Sequence, residues 1–91
     1  MHEDALLYEE TEATESRFVG FLGTTERLDF VITSTSHFYG KKLVTCLQSR
    51  RCAILDAAEA EDVDLIKQQF DLDDEESAVS LAAFLSSQLS S

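Results

Sequence analysis

Hydrophobic positions along the chain change period once. Between residues 16 and 55 they come in short aromatic and β-branched runs. Arg17-Phe18-Val19-Gly20-Phe21-Leu22 and Leu28-Asp29-Phe30-Val31-Ile32-Thr33 read as two strands. Gly23-Thr24-Thr25-Glu26 between them suits a hairpin turn. Lys42-Leu43-Val44-Thr45-Cys46-Leu47 and Arg51-Cys52-Ala53-Ile54-Leu55 form a second pair joined around Gln48-Ser49-Arg50, and the Ser34–Gly40 link between hairpins is rich in Ser, Thr and Gly. Ala5-Leu6-Leu7-Tyr8 suggests a further short strand.

Beyond residue 55 the period becomes helical. Val63, Ile66 and Phe70 share one helical face, and Ala78, Leu81, Ala82, Leu85 and Leu89 form a longer stripe. Asp73 with Glu76 three residues on resembles a capping box, which would place Asp74, Glu75 and Glu76 against the positive end of the helix dipole. The expected fold is therefore α+β, an antiparallel meander of four or five strands followed by two C-terminal helices. Residues 1–91 form one domain, with an acidic segment at 1–15, strands within 16–55 and helices within 59–89.

Strand alternation carries a further expectation. A simple hairpin register puts Phe18 and Leu22 on one face with Leu28, Phe30 and Ile32, leaving Val19, Phe21 and Val31 on the other. In the second pair Leu43 and Leu47 oppose Cys52 and Ile54, while Val44 and Cys46 lie with Ala53 and Leu55. Both faces would then be apolar. Two short helices cover one, so the other calls for the N-terminal segment, strong sheet curvature or a second subunit. A homodimer is the expected arrangement, with an unidentified protein partner as a further possibility.

Charge sharpens this picture. The 91 residues carry 18 acids and 7 bases, a formal net charge of −11, which weighs against a general nucleic-acid or anionic-membrane binder. The charge is also segregated. Residues 1–15 hold six acids and no base, residues 16–55 hold six bases against two acids, and residues 56–91 hold ten acids against Lys67. No apolar run reaches the length of a membrane span, and the acidic start does not read as a secretory signal, so a cytoplasmic protein is expected.

Candidate chemistry is sparse. Cys46 and Cys52 are too few for a disulfide framework and are expected as free thiols in or near the core. With His37 and His2 they lack zinc-ligand spacing, and Asp71–Glu76 lacks the glycine and alternation of a calcium loop. There is no phosphate loop and no nucleophile elbow, and a Cys–His dyad with His37 would need an accessible thiol. No catalytic residue, metal or cofactor is expected. One constellation stands out, the basic aromatic group His37, Phe38, Tyr39, Lys41 and Lys42 with Arg50 and Arg51. Aromatics interleaved with bases can stack on and pair with an anionic ligand or nucleobase. The simpler reading makes Phe38 and Tyr39 core anchors and the bases ion-pair partners of the acidic helices.

Tyr8 followed by acids, Arg17-Phe18-Val19, Phe38-Tyr39-Gly40-Lys41 with Leu43-Val44, Leu47-Gln48-Ser49 and Ala53-Ile54 resemble a family of small Firmicutes proteins classed as a domain of unknown function. The resemblance runs from about Tyr8 to the helix at Leu85. Its most specific parts are the Tyr-Gly-Lys-x-Leu-Val stretch and the Gln-Ser turn. It implies a small bacterial cytosolic protein and transfers no catalytic or binding residue. The chain departs from it at Arg50, where relatives usually carry the glycine that a positive φ favours. Together these readings point to a non-enzymatic interaction or regulatory module. The alternative is a small anionic-ligand or nucleic-acid-binding domain using the His37–Lys42 loop and Arg50-Arg51.

Overall fold

Four antiparallel strands and three helices follow one another along the chain in a computed structural model that describes residues 5–23 and 26–90. The strands are β1 (Glu15–Leu22), β2 (Arg27–Ser34), β3 (Lys42–Cys46) and β4 (Cys52–Leu55), hydrogen-bonded in the order β1-β2-β3-β4. The helices are α1 (Ala57–Ala60), α2 (Val63–Gln69) and α3 (Glu75–Leu89). The meander is the expected one, with four strands. Ala5–Tyr8 forms no strand, and among the described residues the helices number three instead of two.

Each helix begins at an aspartate whose carboxylate accepts an otherwise unpaired backbone N–H of the first turn. Asp56 accepts from Glu59 N at 2.7 Å, and the Glu59 carboxylate accepts from Asp56 N at 3.1 Å, a complete capping box. This box starts the short helix α1, which hydrophobic period alone does not reveal. Asp62 caps α2 through Leu65 N, and Asp74 caps α3 through Ser77 N at 2.7 Å. The α3 cap thus lies one residue beyond the expected Asp73, and its partner is serine. Asp74 can also accept from the Ser77 hydroxyl at 3.0 Å, so its carboxylate takes two local donors. Helix α2 ends in a paired-bond C-cap, where Leu72 N donates to Lys67 O at 2.9 Å and Asp71 N to Gln68 O. Asp71 makes this reversal at φ 55.

The core lies between one face of the sheet and the helices. Leu28, Phe30, Ile32, Val44, Cys46, Ala53 and Leu55 are buried from the sheet, against Ile66, Phe70, Leu81, Ala82, Leu85 and Leu89. The predicted stripe of α3 is buried throughout, as are Ile66 of α2 and Phe70 at its C-cap. Phe30 meets Phe70 edge to face at 5.6 Å, and Phe21 meets Phe84 at 5.2 Å. Arg17 donates to the carbonyl and side chain of Gln88, tying β1 to the end of α3.

The first hairpin reverses the expected faces. Its register pairs Phe18 with Val31, Val19 with Phe30, Phe21 with Leu28 and Leu22 with Arg27. Residues directly opposite share a face. Val19 and Phe21 therefore pack on the core, while Phe18 and Leu22 point away with Val31. The cause is parity. Leu22 and Arg27 close a four-residue connection, so even-numbered positions of β1 oppose odd-numbered positions of β2. The second hairpin has the expected faces, with Val44 opposite Ala53 on the core side and Leu43 opposite Ile54 outside.

Candidate functional site

The basic aromatic group expected from sequence divides between the two ends of β3. His37 and Phe38 lie in a single 3-10 turn, Ser36–Phe38, started by Thr35, whose hydroxyl oxygen accepts from His37 N at 3.2 Å. Tyr39 and Gly40 then turn the chain into β3 at φ 53 and φ 88. Arg50 and Arg51 follow β3, in the turn to β4. A strand rises about 3.3 Å per residue, so Lys42 and Cys46 stand about 13 Å apart, with Lys41 and the arginines beyond opposite ends. The seven residues therefore do not converge.

Locally, several of the bases have acidic partners. Lys41 Nζ lies 3.0 Å from Glu59 on α1, and Arg51 lies 3.7 Å from Asp71. The Glu59 carboxylate, as hydrogen-bond acceptor, holds the Lys41 ammonium above its ordinary pKa. Among the described residues, Lys42 and Arg50 make no ion pair. Phe38 is half-buried, whereas Tyr39 is 97% exposed, so Tyr39 is not the core anchor of the simpler reading.

His37 belongs to a different arrangement. Its Nδ1 lies 2.7 Å from Glu12 and its Nε2 3.7 Å from Glu10. Glu12 also accepts from the Thr35 hydroxyl and from Ser36 N, each at 2.8 Å. These donors, the Ser36 N–H first, hold its carboxyl below the usual glutamate range. The cluster clamps the N-terminal segment to the β2–β3 connection. Beyond the clamp, Leu6, Leu7 and Tyr8 are 75%, 91% and 71% exposed, so this segment does not cover the sheet of its own chain.

The thiols separate by strand alternation. Cys46 faces the core and is buried. Cys52 lies opposite Thr45 on the outer face and is exposed, which corrects the expectation that both lie in or near the core. Both are free. His37 stands at the end of β3 opposite Cys46, so no Cys–His dyad assembles. His2 lies outside the described residues. Among the described residues no group of three or more His, Cys, Asp and Glu is placed to hold a metal ion, and no helix is long and apolar enough to cross a membrane. An open cavity of about 410 Å³ is walled by Glu26, Asp71, Asp73 and Asp74, the wrong sign for an anion.

The remaining feature is the outer face of the sheet. Phe18 and Leu22 of β1, Val31 of β2, Leu43 of β3 and Ile54 of β4 point to this side, interspersed with Ser16, Thr33, Thr45 and Cys52. It is less apolar than expected, because Arg27 and Asp29 also lie here. They pair at 3.1 Å, and Asp29 accepts from Gln48 Nε2 at 2.8 Å. The face therefore carries no net charge, while the ten acids of residues 56–91 belong to the helical side. Phe18, Leu22 and Ile54 are 76%, 82% and 44% exposed. Sequence reasoning grouped Phe18 and Leu22 on one face with Leu28, Phe30 and Ile32, whereas they lie on the opposite face with Val31. The length of the turn, fixing the parity of the hairpin, was the signal that could have placed them outside.

A comparison with curated proteins found no match. The model of the SAV0927-like family matches residues 7–87, from the exposed N-terminal segment through nearly all of α3. The chain belongs to the SAV0927-like family.

Proposed function

We propose that the protein is a non-enzymatic interaction module of the bacterial cytoplasm, and that it acts as a homodimer joined through the outer faces of two sheets. The observation that supports this reading is the row of exposed apolar side chains, Phe18, Leu22 and Ile54, on a sheet whose other face is fully used by the core. Clustered exposed apolar groups of this kind mark association surfaces. Electrostatics selects the partner's orientation. Two copies at −11 each repel, and the neutral outer face lets them approach with their acidic helices turned away from each other. Analytical ultracentrifugation of the full chain should show a dimer in micromolar solution. Phe18→Asp and Ile54→Asp, at opposite edges of the face, should each shift it toward monomer without changing the circular dichroism spectrum. A monomer throughout the concentration series would refute the proposal.

A second reading keeps one observation of its own. Tyr39 stands fully exposed at φ 53, an unpacked aromatic between His37 and Lys41. Stacking on a nucleobase or other planar anion would give it a role. Thermal melts with nucleotides test this. A stabilisation lost in the Lys41→Gln/Lys42→Gln variant would favour binding at this loop.

A further inference from the structure

We infer that the dimer is completed by exchange of N-terminal arms, the Leu6-Leu7-Tyr8 segment of each copy lying on the outer sheet face of the other. This rests on the dimer proposed above and assigns it a specific interface.

Area is the first argument. Four strands spaced about 4.8 Å apart and averaging about 20 Å in length give a face of roughly 400 Å². Two such faces bury on the order of 800–1,000 Å², the range of weak or incidental contacts, whereas a stable dimer buries about 1,600 Å². Three large exposed side chains contribute on the order of 400 Å² per arm. Two arms bring the total to the standard size.

Position is the second argument. The Glu12 clamp on Thr35, Ser36 and His37 fixes the root of the arm at the β2–β3 end of the molecule. Residues 5–11 lead away from it, with Leu6, Leu7 and Tyr8 exposed. The Cα radius of gyration is 15.2 Å and the longest dimension 51 Å, against a radius of about 12 Å for a folded chain of this length. Residues 5–11 span up to about 23–25 Å when extended, the length of the longer strands on a partner's face.

Charge is the third argument. Glu9 and Glu10 accompany the apolar residues of the arm. The helical side of a second copy carries ten acids and repels this arm, whereas the outer sheet face, where Arg27 and Asp29 pair, carries no net charge and does not. Leu6, Leu7 and Tyr8 meet the apolar side chains there.

The test compares two sets of variants by sedimentation at matched concentrations. Leu6→Ser/Leu7→Ser/Tyr8→Ser should weaken the dimer at least about a hundred-fold, with an unchanged melting profile for the isolated monomer. Phe18→Asp reports on the sheet face independently. If Phe18→Asp dissociates the dimer while the arm variant associates like wild type, arm exchange is overturned and the face-to-face dimer stands. If wild type is itself monomeric, both fall. A second measurement reads the exchange directly. Leu7→Cys/Cys52→Ser is mixed with wild-type chain and treated with a short bismaleimide. A cross-link between the thiol introduced at position 7 of one chain and Cys52 of the other supports exchange. In a Leu7→Cys chain that retains Cys52, a link formed only within one chain would show the arm on its own sheet and overturn it.

Discussion

Replacing Arg50 by glycine should stabilise the protein. Arg50 occupies the last position of the turn between β3 and β4, at φ 61. Its N–H donates to Cys46 O at 2.8 Å, and Cys46 N donates to Arg51 O at 2.8 Å, so the hairpin bonds hold it in that conformation. A side-chain-bearing L-residue in the left-handed region pays about 1–2 kcal/mol, because Cβ crowds the following carbonyl. Glycine avoids this clash but loses about 0.4–1 kcal/mol through its greater freedom in the unfolded chain. The exposed guanidinium makes no ion pair among the described residues, so its removal should change stability by no more than about 0.5 kcal/mol. The net expectation is a gain of about 0.5–1 kcal/mol, which for a domain of this size raises Tm by roughly 2–8 °C. Urea and thermal melts at fixed protein concentration measure it. Arg50→Ala supplies the control, since alanine removes the same charge and side chain but retains Cβ. If glycine is no more stable than alanine, the turn is not strained at this position and the argument is wrong.

Asp56→Ala removes the acceptor from the α1 capping box and should cost about 1 kcal/mol in a denaturant melt, while Asp56→Asn, also a good cap, should cost less. Phe21→Ala should destabilise by about 2–3 kcal/mol because Phe21 packs on Phe84, whereas Phe18→Ala should leave the monomer within about 0.5 kcal/mol. Equal effects on the isolated monomer would contradict the hairpin register. Glu12 has a depressed pKa in the folded state, so the unfolded chain binds more protons in the acid range. Its stabilising contribution is complete above the usual glutamate pKa and fades as pH falls through the lower folded value. Stability profiles of wild type and Glu12→Gln should therefore converge as pH falls below the usual glutamate range, and a constant gap would argue against the clamp.

Much of the architecture was legible because repeating patterns report local geometry. The α3 stripe from Ala78 to Leu89 and the Ile66–Phe70 face became buried because helical period aligns them whatever they pack against. Val44, Ala53 and Leu55 likewise share the core side through simple alternation along two strands. Helix α1 was less visible. Its four residues are too short for a period to develop, and its start depends on a reciprocal contact between Asp56 and Glu59.

Relations between elements had no such repeating signal. Alternation separates the neighbours Phe18 and Val19, but only the closure of the turn chooses which of them enters the core. Proximity along the chain also suggested one site from His37 to Arg51, until β3 placed its two basic clusters at opposite ends. Burial of Cys46 beside exposure of Cys52 arose in the same way. The sequence determined each segment's preference and its two-sided pattern, because these follow from backbone geometry over a few residues. Tertiary structure decided which side met the helices and which groups met one another, because turn length and strand pairing set those relations across the whole sheet.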